Sequence, residues 1–192
     1  MRSRFKIPSI STLMLHACLV LCVVPLASCS SREQRAQAYY ESGMSYLEKN
    51  EFAKARLELR NALQVKGDFV EAWRALARID EHDRNVQLLA EDLRRIAELD
   101  PKDAGARVKL ARIYLVSGAV SQALKVTNSA EEIDANNVEM LTLKSAILFR
   151  LRDREGAAIQ AHKVLRIDPG NTDAIVVIAA QQFLGGNPDA AL

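Results

Sequence analysis

Few side chains in this chain could do covalent or metal chemistry, and their placement narrows what that chemistry could be. The three cysteines, Cys18, Cys22 and Cys29, all fall within the first thirty residues. Asp80-Glu81-His82-Asp83 is the densest run of possible metal ligands. One histidine among carboxylates lacks the spaced His and Cys ligands of a structural metal site, so the run reads as a solvated helix end and turn. The other histidine beyond the N-terminus, His162, lies far away in sequence. No Gly-rich phosphate loop, no His-Glu-x-x-His and no Gly-x-Ser-x-Gly occurs. The expectation is therefore a protein that is not an enzyme, with no catalytic residue, metal, cofactor or small-molecule substrate, and with one reactive position, Cys29.

What surrounds Cys29 says what it reacts with. Arg2, Arg4 and Lys6 make a positive start, and an apolar run from Ile7 to Ala27 follows, broken only by Pro8, Ser9, Ser11, Thr12, His16 and Pro25. A basic region, an apolar region and small residues before a cut describe a secretory signal peptide. Leu26-Ala27-Ser28-Cys29 resembles the lipobox of bacterial lipoproteins: Leu, a small residue, Gly, Ala or Ser, then Cys. That resemblance implies that residues 1–28 are a cleaved lipoprotein signal peptide. It also implies that Cys29 carries diacylglycerol on sulfur and a further acyl chain, such as palmitate, on its new amine. Ser30 rather than Asp after the Cys implies the outer membrane of a diderm envelope, with the folded part facing the periplasm.

Processing changes the charge. The whole chain has a formal net charge of +2. Loss of Arg2, Arg4 and Lys6 with no acidic residue turns this to −1, so no electrostatic attraction to nucleic acid is predicted. Cys18 and Cys22 leave with the signal and Cys29 is consumed by lipid, so no thiol remains for a disulfide.

Beyond the signal the chain repeats. It can be written without gaps in rows of 34 residues beginning at Ala36, Val70, Ala104, Val138 and Thr172. Column 8 reads Gly43, Ala77, Ala111, Ser145 and Ala179, and column 20 reads Ala55, Leu89, Ala123, Ala157 and Ala191. Small residues there let two helices approach closely. Column 27 (Ala62, Ile96, Ala130, Val164) and column 30 (Val65, Leu99, Ile133, Ile167) lie three apart, on one helical face. Asp100-Pro101 and Asp168-Pro169 should stop helices, because proline disfavours helical geometry in the residue before it. Asp103, Asn137 and Asn171 should cap the next helix, and Asn187-Pro188 should open another. The predicted helices run over 37–49, 53–66, 70–82, 86–98, 104–116, 120–132, 138–150, 154–166 and 172–184.

These columns resemble the tetratricopeptide repeat, with Trp73 at column 4, Leu76 and Leu110 at column 7, Gly43 at column 8, and Tyr46 and Tyr114 at column 11. Column 24 departs from the family's aromatic (Leu59, Leu93, Thr127, Ala161), Asp80 replaces the aromatic of column 11, and Lys144 replaces the leucine of column 7. The resemblance covers residues 36–192. It implies an all-α fold, a tetratricopeptide-repeat α-solenoid of about four and a half helix-turn-helix hairpins wound as a right-handed superhelix. Trp73 is then a packing residue. The row from Thr172 is incomplete at Leu192, which predicts either the N-terminal piece of a longer array or a truncated product. Residues 29–35 form a short tether after the lipidated Cys, at most about 25 Å when extended, so the first hairpin should work close to the membrane.

In the resembled family the first helix of each hairpin lines a concave groove, chiefly through columns 2, 5, 9, 12 and 13. Carried onto this sequence, the groove candidates are Tyr40, Met44, Arg74, Arg78, Arg112, Leu115, Thr142, Val176, Phe149 and Phe183. Arg74, Arg78 and Arg112 would form a basic strip beside apolar pockets, suited to a peptide or helix with acidic groups. The bland alternative is that they solubilise a helix face, paired with Glu71 or Glu81. The expected function is a membrane-anchored adaptor or scaffold that binds proteins or peptides during assembly or export of envelope or exopolysaccharide components. Lipid-anchored arrays resemble the lipoproteins of outer-membrane protein assembly, type IV pilus biogenesis and exopolysaccharide export. The stretch Lys54-Ala55-Arg56-Leu57-Glu58-Leu59-Arg60-Asn61-Ala62-Leu63 resembles the repeat lipoproteins found with PEP-CTERM and exosortase systems. Two alternatives stay open: a chaperone-like holdase at the inner membrane, and the targeting arm of a larger protein with a downstream catalytic domain.

Overall fold

The computed structural model describes residues 32–185. The expected signal peptide, the expected lipobox with Cys29 and the expected Asn187-Pro188 cap lie outside the described residues. Within them the chain is helical, with no strand: α1 (32–48), α2 (Phe52–Val65), α3 (Val70–His82), α4 (Val86–Leu99), α5 (Ala104–Val116), α6 (Val120–Glu131), α7 (Val138–Arg150), α8 (Arg154–Ile167) and α9 (Thr172–Leu184). Two compact units meet in sequence between Ala72 and Trp73.

In the first unit α1 and α2 form a hairpin. A Cβ on Gly43 would stand 2.8 Å from Leu59 Cγ and 3.4 Å from the Ala55 carbonyl oxygen, so the closeness predicted for columns 8 and 20 is real here. Tyr40 stacks on Phe69 at 5.0 Å between ring centroids. One expectation is corrected. Residues 32–35, assigned to the tether, are helical. Arg32 Nε donates to the Val65 carbonyl at 2.8 Å and Glu33 pairs with Lys66, so the extra turn is fastened to the C-terminal end of α2. A cation there satisfies a carbonyl left without an intrahelical donor.

In the second unit each helix from α4 to α9 packs on the next, and α5, α7 and α9 also pack side by side. Ala111, Ala123, Ser145 and Ala157 are fully buried. Ser145 Oγ donates to the Ala157 carbonyl at 2.9 Å, a bond possible only where the backbones nearly touch. Column 27 is buried as expected, whereas column 30 is only partly covered, and Ile167 is 48% exposed.

The helix ends follow the sequence signals. Asp100 and Asp168, each before a proline, leave helical geometry, with ψ of 90° and 88°. Asp103, Asn137 and Asn171 accept from the amides of Ala106, Met140 and Ala174. Where Ala135 replaces the proline of column 32, α6 ends at Glu131 and the next residue stays near helical geometry.

Column 15 carries a constraint that side-chain type alone does not reveal. Asn50, Arg84, Gly118 and Arg152 share that column, and all four have positive φ, between 56° and 83°. Each follows the first helix of its hairpin. The amide of column 16 reaches back to the carbonyl of column 11 in every row, from Glu51 to Tyr46, Asn85 to Asp80, Ala119 to Tyr114 and Asp153 to Leu148. That six-residue bond is the Schellman closure, which calls for a left-handed residue, usually glycine.

Two departures from the repeat place charged side chains in inward columns. Asp80, in the inward column 11, is buried, while Glu81, His82 and Asp83 are exposed. The run is therefore not wholly a solvated helix end. Lys144 occupies an inward leucine column and pairs with Glu131, which also accepts from Lys163 at 3.1 Å. The Lys144 hydrogen bond, then that of Lys163 against the opposing cost of burial, holds the Glu131 carboxyl below its ordinary value of 4.5.

Arg84→Gly and Arg152→Gly should each stabilise the fold by about 0.5–1 kcal/mol, read as a higher urea midpoint, because left-handed geometry costs a side-chain residue more than glycine. Glu131→Gln should be less stable than the parent at neutral pH. The lowered carboxylate contributes stability above its ordinary titration range and loses it as pH falls through the depressed folded value. The difference should therefore shrink on acidification below about pH 4.5, as followed by thermal unfolding.

Candidate functional site

The side-by-side packing of α5, α7 and α9 leaves a cleft of about 680 Å³ in the second unit. Its apolar floor comes from Leu115 of α5, Val138, Leu143 and Ala146 of α7, and Val176 and Val177 of α9. Arg112, Glu139, Asp173 and Asn171 supply the polar rim, with Thr142 between them. The helical period brings these residues to one face: Val138, Thr142 and Ala146 stand four apart along α7. Thr142 Oγ1 donates to the Val138 carbonyl at 2.8 Å, so the hydroxyl is already engaged and its methyl is the part it can offer a ligand. Asn171 is likewise occupied, capping α9 and donating to Asp168.

Four of the predicted groove residues, Arg112, Leu115, Thr142 and Val176, meet in this cleft. Arg74 and Arg78 line a different and smaller cleft, of about 290 Å³, between α3, α4 and α5. There Leu89, the one large residue in column 20 of a described row, stands with Ala77. Phe149 packs half-buried against the core, and Phe183 is 65% exposed; neither lines these two clefts. Tyr40 and Met44 are half-buried in the first unit. Trp73 is half-buried.

The basic strip is not a row of free cations. Arg74 Nη2 reaches Asp100 at 2.7 Å and Asp103 at 2.9 Å, and its Nε is 3.3 Å from Asp103. Since Asp103 also caps α5 through its other oxygen, Arg74 locks the loop between α4 and α5. Its hydrogen bond is the first cause holding the Asp100 carboxyl below the usual range. Lys109 bridges to Glu81 at 2.7 Å, and Arg112 Nη2 meets Glu139 at 2.5 Å. The partners anticipated for the arginines, Glu71 and Glu81, are thus replaced by Asp100, Asp103 and Glu139. Of the three arginines, Arg78 alone has no ion-pair partner among the described residues. No group of three or more His, Cys, Asp or Glu side chains could hold a metal among the described residues.

Glu139, Asp173, Val138, Leu143, Ala146 and Val177 were not anticipated. A signal for the first two existed. Both occupy column 2, one of the groove-facing columns of the repeat.

Such a surface holds no nucleophile or proton-transfer pair. What it can do is cover apolar side chains and select charge at its rim. A tetratricopeptide repeat family model matches residues 90–147. No curated protein matches the chain. Among solved structures, the crystal structure of the MamA protein superposes with a TM-score of 0.73 at 18% identity, over 82% of this chain and 86% of that one. YrrB, described as a TPR protein with an unusual peptide-binding site, gives 0.73 at 16% identity over 87% and 86%. Pseudomonas aeruginosa PilF gives 0.61 at 17% over 84% and 73%. At such identities these likenesses speak for fold. Together with the repeat matched over residues 90–147, they show the fold to be an all-α solenoid of the tetratricopeptide-repeat type.

Arg74→Met should lower stability by about 1 kcal/mol, on the scale of a partly exposed charge network. It should leave ligand binding at the larger cleft unchanged, a split that unfolding and binding titrations on the same sample would measure.

Proposed function

We propose that this chain is a lipid-anchored adaptor of the bacterial envelope that holds partner proteins by an apolar segment seated in the cleft of α5, α7 and α9. The cleft is the observation that carries the reading. Its floor is apolar and partly exposed, Val176 being 63% accessible, and such a surface gains free energy when a partner covers it. A peptide-binding site named for the structurally similar YrrB supports a peptide or helix as the occupant.

The anchor rests on the lipobox Leu26-Ala27-Ser28-Cys29 and the signal before it. One acyl chain gives only marginal membrane binding and two or more give stable anchoring, so diacylglycerol with an added palmitate would keep the array at the surface. Among the described residues no helix is long and apolar enough to cross a membrane. Ser30 after the Cys supports the outer membrane, and the envelope setting supports a role in assembling or exporting envelope or exopolysaccharide components. The holdase reading draws on the apolar residues that α9 exposes, Ile175, Val176, Phe183 and Leu184.

Metabolic labelling with palmitate should mark the parent protein and not Cys29→Ala, and Ser30→Asp should move it from the outer- to the inner-membrane fraction. Unlabelled parent protein would remove the anchor from the reading. Cross-linked capture from envelopes should recover a small set of partners, and Ala146→Trp, which fills the cleft, should lose them. A broad spread of unrelated clients would favour the holdase.

A further inference from the structure

We infer that the cleft of α5, α7 and α9 selects a segment in which apolar residues are accompanied by lysine or arginine, rather than the acidic segment that a basic strip would call for. The inference rests on the reading of this cleft as a peptide site and concerns the sign of its ligand. Three charges stand on the rim: Arg112, Glu139 and Asp173. The cation is already spent, with Arg112 Nη2 at 2.5 Å from Glu139 Oε1. The nearby Arg150 donates to the neutral Leu115 carbonyl at 2.8 Å and keeps its charge, but it does not line the cleft. Asp173, in the first turn of α9, has no cationic partner among the described residues. The rim therefore carries one uncompensated negative charge.

An incoming carboxylate could reach Arg112 only by displacing Glu139, and the displaced acid would then face it. It would break one contact to make one. An incoming ammonium or guanidinium meets Asp173 and the outer side of Glu139 without breaking anything. The apolar floor supplies most of the affinity for either ligand, and the rim charges decide between them. Because the Arg112–Glu139 pair is more than half exposed, the discrimination is modest and screened by salt.

The test uses the full chain in non-ionic detergent and three short fluorescein-labelled peptides, in which leucine alternates with lysine, with glutamate or with glutamine. Fluorescence anisotropy at low salt should rank lysine tightest, by about threefold over glutamine, with the gap closing towards 1 M salt. Asp173→Asn should erase the preference. Arg112→Gln, which releases Glu139, should widen it by a similar factor. If the glutamate peptide binds tighter, if the three bind alike, or if Arg112→Gln weakens the lysine peptide, the inferred polarity is wrong. The peptide-site reading survives those results provided Ala146→Trp abolishes the binding seen. If no peptide binds, or if Ala146→Trp changes nothing while helical content by circular dichroism is intact, both are overturned.

Discussion

The contact on which the fold depends is the near-touching of two helix backbones within each hairpin. At Gly43 there is no room for a further carbon against Leu59 and the Ala55 carbonyl, and at Ser145 the hydroxyl bonds directly to the carbonyl of Ala157. Side chains of no more than two heavy atoms at columns 8 and 20, Leu89 excepted, make that approach possible. The approach in turn brings the branched residues of column 27 into the core, where Ile96 and Val164 are buried. Close packing of this kind leaves few voids and is felt by any added methylene. In the row where Leu89 replaces the alanine of column 20, Leu89 and Ala77 both line the smaller cleft.

The hairpin turns impose a second constraint of backbone origin. The Schellman closure after each first helix demands a left-handed residue, and the chain supplies glycine once, asparagine once and arginine twice. Neighbouring contacts over-determine the geometry, so the less favourable residues are tolerated at a cost. The inward charges follow the same logic. Lys144 in a leucine column would be costly alone, and it pairs with Glu131, which also accepts from Lys163 and so links α6, α7 and α8.

Charge on the first-helix face is organised between hairpins. Arg74 crosses to Asp100 and Asp103, Lys109 to Glu81, and Arg112 to Glu139. Arg74 ties the start of its own row to its end, whereas Lys109 and Arg112 each join one row to the next and act as registration contacts between stacked hairpins, a role that solenoid architecture assigns to nearest-neighbour interfaces. A face that looks basic when one helix is considered alone becomes nearly neutral once its neighbours are in place.

Much of the fold was legible in the residues. The helix bounds follow from the 34-residue period, from prolines after Asp100 and Asp168, and from caps at Asp103, Asn137 and Asn171, all of which act over a few residues of chain. Local signals missed the first turn of α1, because what holds residues 32–35 helical is the far end of α2, thirty-three residues away. The candidate site divides in the same way. That columns 5, 9 and 12 share a helix face is a consequence of periodicity, and Arg112, Leu115 and Thr142 do meet. Whether a charge on that face is free depends on which side chain of the next hairpin stands opposite it. Covalent spacing along one helix cannot specify that distance. By itself, the sequence determined the period, the caps and the small-residue columns. The pairing of Arg112 with Glu139, and the unpaired state of Asp173, were decided only by the packing of α5, α7 and α9, because Coulomb interactions depend on separation in space.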